Sequence, residues 1–207
     1  MYYKTVTSKK DTIRELESIV NLVANQCLSW KMVTQEDRYY DTENRALLNC
    51  KSSLRIRSSN GTKKCTFKSN KALQGIDGRF ERIEDEVAVC TDDISDAIKF
   101  LSKNTRDAVE SMTSGTRLEK ALTILNRRKK TKIQLGSCEI EFAMDDVTYD
   151  GKTDELQVEI ELVSKGHAEE LEEFEEFIRR FAKSSENNRV FSISSMVESK
   201  YERGVSV

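Results

Sequence analysis

The stretch Glu155-Leu156-Gln157-Val158-Glu159-Ile160-Glu161-Leu162 sets an apolar side chain at every second position. A strand sends successive side chains to opposite faces, so this octapeptide has one wholly aliphatic face. Its other face carries three carboxylates and a glutamine. The pattern recurs on either side. Glu139-Ile140-Glu141-Phe142-Ala143-Met144-Asp145 aligns three carboxylates opposite Ile140, Phe142 and Met144. Lys130-Thr131-Lys132-Ile133-Gln134-Leu135 aligns two lysines with a glutamine. Leu54-Arg55-Ile56-Arg57 points two arginines one way, and Lys64-Cys65-Thr66-Phe67-Lys68 puts Lys64, Thr66 and Lys68 together. Arg82-Ile83-Glu84-Asp85-Glu86-Val87 groups Arg82, Glu84 and Glu86. The charge is therefore segregated: basic on three strands, acidic on two and mixed on one.

Helical spacing is confined to three regions. Ile13, Leu16, Ile19, Val20 and Val23 predict a helix over 11–28 with Asp11 as N-cap. A second helical stretch is expected over 92–126, broken near Gly115, from Ile94, Ile98, Leu101, Val109, Leu118, Leu122 and Leu125. A third, over 166–183, turns Leu171, Phe174, Phe177, Ile178 and Phe181 inward, with a glutamate-rich solvated face. Strands are expected near 2–9, 30–40, 53–58, 64–69, 79–89, 128–135, 137–148 and 154–163. Without a Pro-rich or Ser/Gly-rich joint, residues 1–207 read as a single domain.

Composition narrows the chemistry. The 207 residues hold 34 Lys+Arg against 36 Asp+Glu, a net charge of −2, with 34% of residues charged and 37% hydrophobic. Near-neutrality speaks against disorder and against a duplex-DNA binder, which needs a basic excess. No apolar run approaches the roughly 18 residues of a membrane span, and Met1-Tyr2-Tyr3-Lys4-Thr5 lacks a signal-peptide core. Cys27, Cys50, Cys65, Cys90 and Cys138 are odd in number and widely spaced, which fits structural thiols in a reducing, cytoplasmic setting. The sole histidine, His167, leaves no His-based zinc site or Ser–His triad. Any metal would be a hard cation held by carboxylates.

Two arrangements satisfy the strand pattern. One is an antiparallel sheet with a single wet face and cross-strand ion pairs. The other is a closed barrel, apolar side outward under helices, whose charged lumen suits a phosphate chain with divalent cations.

Further residues carry a resemblance. Arg38-Tyr39-Tyr40-Asp41-Thr42 with Leu47-Leu48, then Leu54-Arg55-Ile56-Arg57, Thr66-Phe67-Lys68 and Arg82-Ile83-Glu84-Asp85-Glu86 follow one another in order. After a helical insertion come Glu141-Phe142-Ala143-Met144-Asp145-Asp146-Val147, Val158-Glu159-Ile160-Glu161-Leu162 and Ser199-Lys200-Tyr201-Glu202-Arg203-Gly204. Together, from about residue 38 onward, they resemble a CYTH domain. That family comprises the triphosphate tunnel metalloenzymes: class IV adenylate cyclases, thiamine triphosphatases and inorganic triphosphatases. The resemblance implies an α+β fold with a closed eight-stranded antiparallel barrel and helices packed outside. It implies Arg55, Arg57, Lys68, Arg82, Arg128, Lys130, Lys200 and Arg203 as triphosphate ligands. Glu84, Glu86, Asp145, Glu159 and Glu161 match positions that hold Mg²⁺ or Mn²⁺, and Lys9 and Lys200 match catalytic lysines.

One departure stands out. The family's first strand carries ExExK, and here Thr5-Val6-Thr7-Ser8-Lys9 keeps the lysine but replaces both glutamates. Two negative charges are lost from the metal site. The expected function is a metal-dependent phosphohydrolase acting on inorganic triphosphate, ATP or a similar molecule. A tunnel protein that binds such a ligand without turnover is the alternative, and a class IV adenylate cyclase a further one. Nucleic acid enters only as a 5′-triphosphate end, and a homodimer is compatible with the resemblance. Trp30, Tyr39 and Tyr40 read as packing residues, with base stacking at a tunnel mouth as the other reading. In Arg127-Arg128-Lys129-Lys130-Thr131-Lys132 alternate residues are expected to enter the tunnel.

Overall fold

The computed structural model describes residues 9–24, 28–69, 83–136, 138–163, 168–183 and 198–206. Among them seven strands form one antiparallel sheet. They are β1 Lys31–Asp41, β2 Ser52–Ser59, β3 Thr62–Ser69, β4 Ile83–Val89, β5 Glu119–Leu135, β6 Cys138–Tyr149 and β7 Thr153–Leu162. The strand order is β4-β3-β2-β1-β5-β6-β7, which leaves β4 and β7 at the edges. Among the described residues the sheet is not closed by hydrogen bonds, so the expected closed eight-stranded barrel is not shown. Of the first strand expected over 2–9, residues 2–8 lie outside the described residues. Lys9 opens a helix instead.

Six α-helices accompany the sheet: α1 Lys9–Ala24, α2 Ala46–Asn49, α3 Ile94–Ala97, α4 Lys103–Thr113, α5 Ala168–Lys183 and α6 Lys200–Gly204. The expected helix over 92–126 is corrected. Asp93 caps α3 by accepting from the Ser95 and Asp96 amides, and a 3-10 turn follows over Ile98–Phe100. Ser102 caps α4, which ends where Ser114 turns left-handed at φ 52°. From Glu119 the chain is a strand, because Leu122, Ile124, Asn126 and Arg128 are buried at alternate positions. Leu118, Leu122 and Leu125 fit helical spacing equally well, and the period of two prevails once β5 pairs with its neighbours.

The residues divide into two compact units, each described by itself. The first comprises Met1–Val33, Arg127–Val147 and Glu155–Met196. Its core is the aliphatic face read from the sequence: Ile133, Ile140, Phe142, Met144, Val158 and Ile160. Leu16, Ile19 and Val20 of α1 and Phe174 and Ile178 of α5 cover that face. Phe142 makes edge contacts with Trp30 and Phe174, at centroid distances of 6.2 and 6.1 Å. Trp30 is therefore a packing residue.

The second unit comprises Thr34–Asn126, Thr148–Asp154 and Val197–Val207. Its core joins Tyr40, Leu54, Ile56, Cys65 and Phe67 of the sheet to Leu47, Ile94, Leu101 and Val109 of the helical segments. Asn60 and Gly61, at φ 49° and 75°, make the tight turn between β2 and β3, the conformation an Asn-Gly pair favours. At Gly204 a Cβ would meet Leu122 Cδ2 at 2.3 Å and Tyr149 Cδ1 at 2.6 Å, so α6 packs closely only because this residue is glycine. Among the described residues Cys65 and Cys138 are buried thiols, whereas Cys50 and Cys90 are exposed. Burial pushes the Cys65 thiol up to about 12.

Candidate functional site

Register decides which side chains share a face in the second unit. Asp37 lies opposite Arg57 and Tyr39 opposite Arg55; Arg55 lies opposite Thr66, Thr66 opposite Glu86, and Lys68 opposite Glu84. These residues make a polar face backed by the apolar core. Asp37, 0% exposed, is its centre. Arg57 donates to both Asp37 carboxylate oxygens, Nε to Oδ1 at 2.6 Å and Nη2 to Oδ2 at 2.7 Å. Arg55 donates through Nη1 to Asp37 Oδ2 and to the Tyr39 hydroxyl, both at 3.2 Å. Burial pushes the Asp37 carboxyl up, but the charges of Arg55, Arg57 and Lys200 outweigh it and hold the group below its ordinary range. Burial likewise pushes the Arg55 guanidinium down, and Asp37, Tyr39 and Glu84 more than reverse this, so Arg55 stays charged.

Outer pairs extend the face. Lys68 meets Glu84 at 2.8 Å, Lys64 donates to Glu86 at 2.5 Å, and Thr66 donates to the other Glu86 oxygen at 3.1 Å. Burial raises the Glu86 carboxyl, and Lys64 and Thr66 bring it below its ordinary value. A cleft of about 280 Å³ opens beside Arg57, Lys64 and Glu86, lined also by Gln35 and Thr62.

Helix α6 adds two buried cations, Lys200 and Arg203. Ser199 and Glu202 form a capping box at its start. The Tyr201 ring stacks on Tyr39 at 4.9 Å, and its hydroxyl donates to Asp41 Oδ2 at 2.9 Å. Asp41 also accepts from the Thr42, Leu47 and Leu48 amides, which fixes the end of β1.

In the first unit the centre is Arg128. Its Nε and Nη2 donate to the two Asp145 oxygens at 2.7 Å each, and Nη2 also bonds Glu159. Burial pushes this guanidinium down, and Glu159, Asp145 and the exposed Glu161 more than offset it, so the charge is kept. Lys130 donates to Glu141 at 2.7 Å and Lys132 to Glu139 at 2.6 Å. The basic run splits between faces as its alternation predicts. Lys129 turns the other way to pair with Glu17 of α1, and Arg127 lies 3.9 Å from Asp146. Lys9, in the first turn of α1, donates to Asp146 at 2.5 Å.

The structure thus gathers Arg55, Arg57, Lys68, Glu84, Glu86, Lys200 and Arg203 in one unit. It places Arg128, Lys130, Asp145, Glu159 and Glu161 in the other, and sets Lys9 of that unit apart from them, paired with Asp146 on the opposite strand face. Arg82, Thr5 and Thr7 lie outside the described residues. Sequence reasoning missed Asp37, although its place two residues before Tyr39 on an alternating strand is the signal that finds it. Among the described residues no three Asp, Glu, His or Cys side chains are grouped to hold a metal ion. No described helix is long and apolar enough to cross a membrane.

Solved structures resemble this fold throughout its length. A candidate adenylate cyclase from Bacillus halodurans is 18% identical, with a TM-score of 0.61 over 97% of this chain and 95% of its own. HpAC1 from Hippeastrum, a candidate adenylyl cyclase with a dominant triphosphatase activity, is 15% identical, with a TM-score of 0.60 over 100% and 96%. The PH1819 protein of Pyrococcus horikoshii is 17% identical, with a TM-score of 0.55 over 99% and 97%. A search of curated proteins gives no match. At these identities the likeness speaks for the fold alone. The CYTH domain profile matches residues 3–190, nearly the whole chain, and on that ground this protein belongs to the CYTH domain family.

Proposed function

We propose that this chain is a metal-dependent phosphohydrolase acting on inorganic triphosphate or a nucleoside triphosphate. CYTH proteins bind triphosphate substrates, and the family's enzymes are generally dependent on divalent metals. The observation that carries the reading is the Asp37 centre. One buried carboxylate is shared by Arg55 and Arg57, with buried Lys200 and Arg203 on α6 of the same unit. Arg55 Nε is buried with no hydrogen-bond acceptor among the described residues. A phosphate oxygen is the ligand atom that such donors are shaped to take.

Arg55, Arg57, Lys68, Lys200 and Arg203 are the proposed phosphate ligands of the second unit. Arg82, Arg128 and Lys130 join them by family resemblance. Asp145 and Glu159 both reach one guanidinium, so the two carboxylates can also reach one cation, and one or two carboxylates with phosphate and water oxygens suit Mg²⁺ or Mn²⁺. Glu161 in the first unit, and Glu84 and Glu86 in the second, are assigned to the metal by family resemblance alone. When bound, the metal supplies charge neutralisation on the phosphate chain. The side chains orient the terminal phosphoryl group and stabilise its charge during in-line attack by water. Lys200 is the proposed catalytic lysine. Lys9 is assigned a catalytic role by resemblance alone, since on α1 it pairs with Asp146 on the strand face opposite Asp145. The closed barrel belongs to this proposal through the family.

A second reading, binding without turnover, is favoured by Thr5 and Thr7 in place of the first-strand glutamates. A cyclase is the weaker fit, because the described residues present no adenine-recognising set. HpAC1, where triphosphatase activity dominates, also favours hydrolysis over cyclisation. Phosphate release from inorganic triphosphate and ATP with Mg²⁺ or Mn²⁺ tests the proposal. Release that is metal-dependent and lost in Lys200→Ala is the expected result. No release, with a triphosphate-induced rise in melting temperature, overturns hydrolysis and leaves the binder.

A further inference from the structure

Arg128, Asp145 and Glu159 form a buried ionic set within the first unit, their side chains 10%, 0% and 9% exposed. The guanidinium meets both oxygens of Asp145 and one of Glu159. Counted by themselves, the three side chains carry a single net negative charge. Glu161 adds to the field at the guanidinium, but the described residues hold no group of three acids able to take a metal, and the sequence has Thr5 and Thr7 where the family's ExExK motif has acids. A divalent cation therefore binds these carboxylates well only when Arg128 withdraws. A desolvated guanidinium does not withdraw without a new anion, because an uncompensated buried charge is strongly disfavoured. Phosphate oxygens, which match its fork geometry, supply that anion.

We propose that Arg128 makes metal binding conditional on the phosphate ligand. Phosphate takes the guanidinium, and Asp145 and Glu159 pass to the divalent cation. The inference rests on the phosphate-binding reading above. By linkage the coupling is reciprocal, so the metal tightens phosphate binding by the same factor.

The test uses the full chain with Mn²⁺ and the non-hydrolysable imidotriphosphate, read by titration calorimetry and melting temperature, not by activity. Mn²⁺ alone should bind the wild type weakly and Arg128→Met about tenfold or more tightly, within the range of typical coupling factors. With imidotriphosphate and Mn²⁺ together, the wild-type melting shift should exceed the sum of the two separate shifts. Arg128→Met should show additive shifts. Arg128→Lys, which keeps the charge, gives a second folded comparison with a smaller gain in Mn²⁺ affinity. Tight binding of Mn²⁺ alone to the wild type, or additive wild-type shifts with both ligands bound, overturns the inference while leaving phosphate binding intact. Failure of imidotriphosphate to bind overturns the phosphate-binding reading and this inference with it.

Discussion

Replacing Asp37 with asparagine keeps the shape of the side chain and removes the charge on which Arg55 and Arg57 converge. The pair is fully buried on the carboxylate side, at 1% side-chain exposure, and 10% and 17% exposed on the arginines. Removing one partner of such a buried set costs about 3–5 kcal/mol, because the remaining charge stays desolvated. For a chain of this size that is a fall in melting temperature of roughly 6–20 °C, taking 2–4 °C per kcal/mol. Urea unfolding followed by circular dichroism, with an unchanged slope, gives the number. Inorganic triphosphate should stabilise Asp37→Asn more than the wild type, since the anion replaces the missing counter-charge. The pH dependence carries an independent sign. The folded Asp37 carboxyl lies below its ordinary value of 3.8, so the folded state binds fewer protons than the unfolded chain. Its contribution is complete above that value and is lost as pH falls through the lower, folded one. Asp37→Asn should therefore lose stability less steeply below pH 3.8 than the wild type does. A stability loss under about 1 kcal/mol, the scale of an exposed pair, together with an unchanged acid slope, would refute Asp37 as the charge centre.

Three further outcomes are expected. Tyr201→Phe keeps the stack on Tyr39 and loses the buried bond to Asp41, costing about 1.5–3 kcal/mol in denaturant titration. Phe142→Ala empties the middle of the first unit's core and costs about 3–5 kcal/mol by the same measurement. Thr5→Glu combined with Thr7→Glu should raise Mn²⁺ affinity and metal-dependent phosphate release, and a folded double variant without either gain would favour a dedicated binder.

The sheet was legible wherever one face is apolar. Leu156, Val158 and Ile160 are all buried, as the alternation in β7 predicts, and Val158 and Ile160 lie under α1 and α5, whereas Leu162 at the strand's end is exposed. Residues 118–126 were misread because leucines four and three apart satisfy a helix, while the decisive pairing partners lie elsewhere in the chain. The charged faces were visible as faces, yet alternation cannot tell which carboxylate is a hub. Asp37 looks like any polar strand residue until the register sets it against Arg57. The short helix α6 was legible only as a family-like motif. Its lock, from Tyr201 to Asp41, spans 160 residues and leaves no local trace.

Among the described residues two buried thiols report on the two cores, once Cys27 is replaced by serine. Cys138 sits in the first unit and Cys65 in the second, both closed to reagents in the folded chain. Exposed Cys50 and Cys90 should react at once with a thiol probe, and the slow reaction of Cys65 and Cys138 then follows the opening of each core. Equal opening free energies at the two thiols would mean one cooperative unfolding event, whereas unequal values would rank the units by local stability.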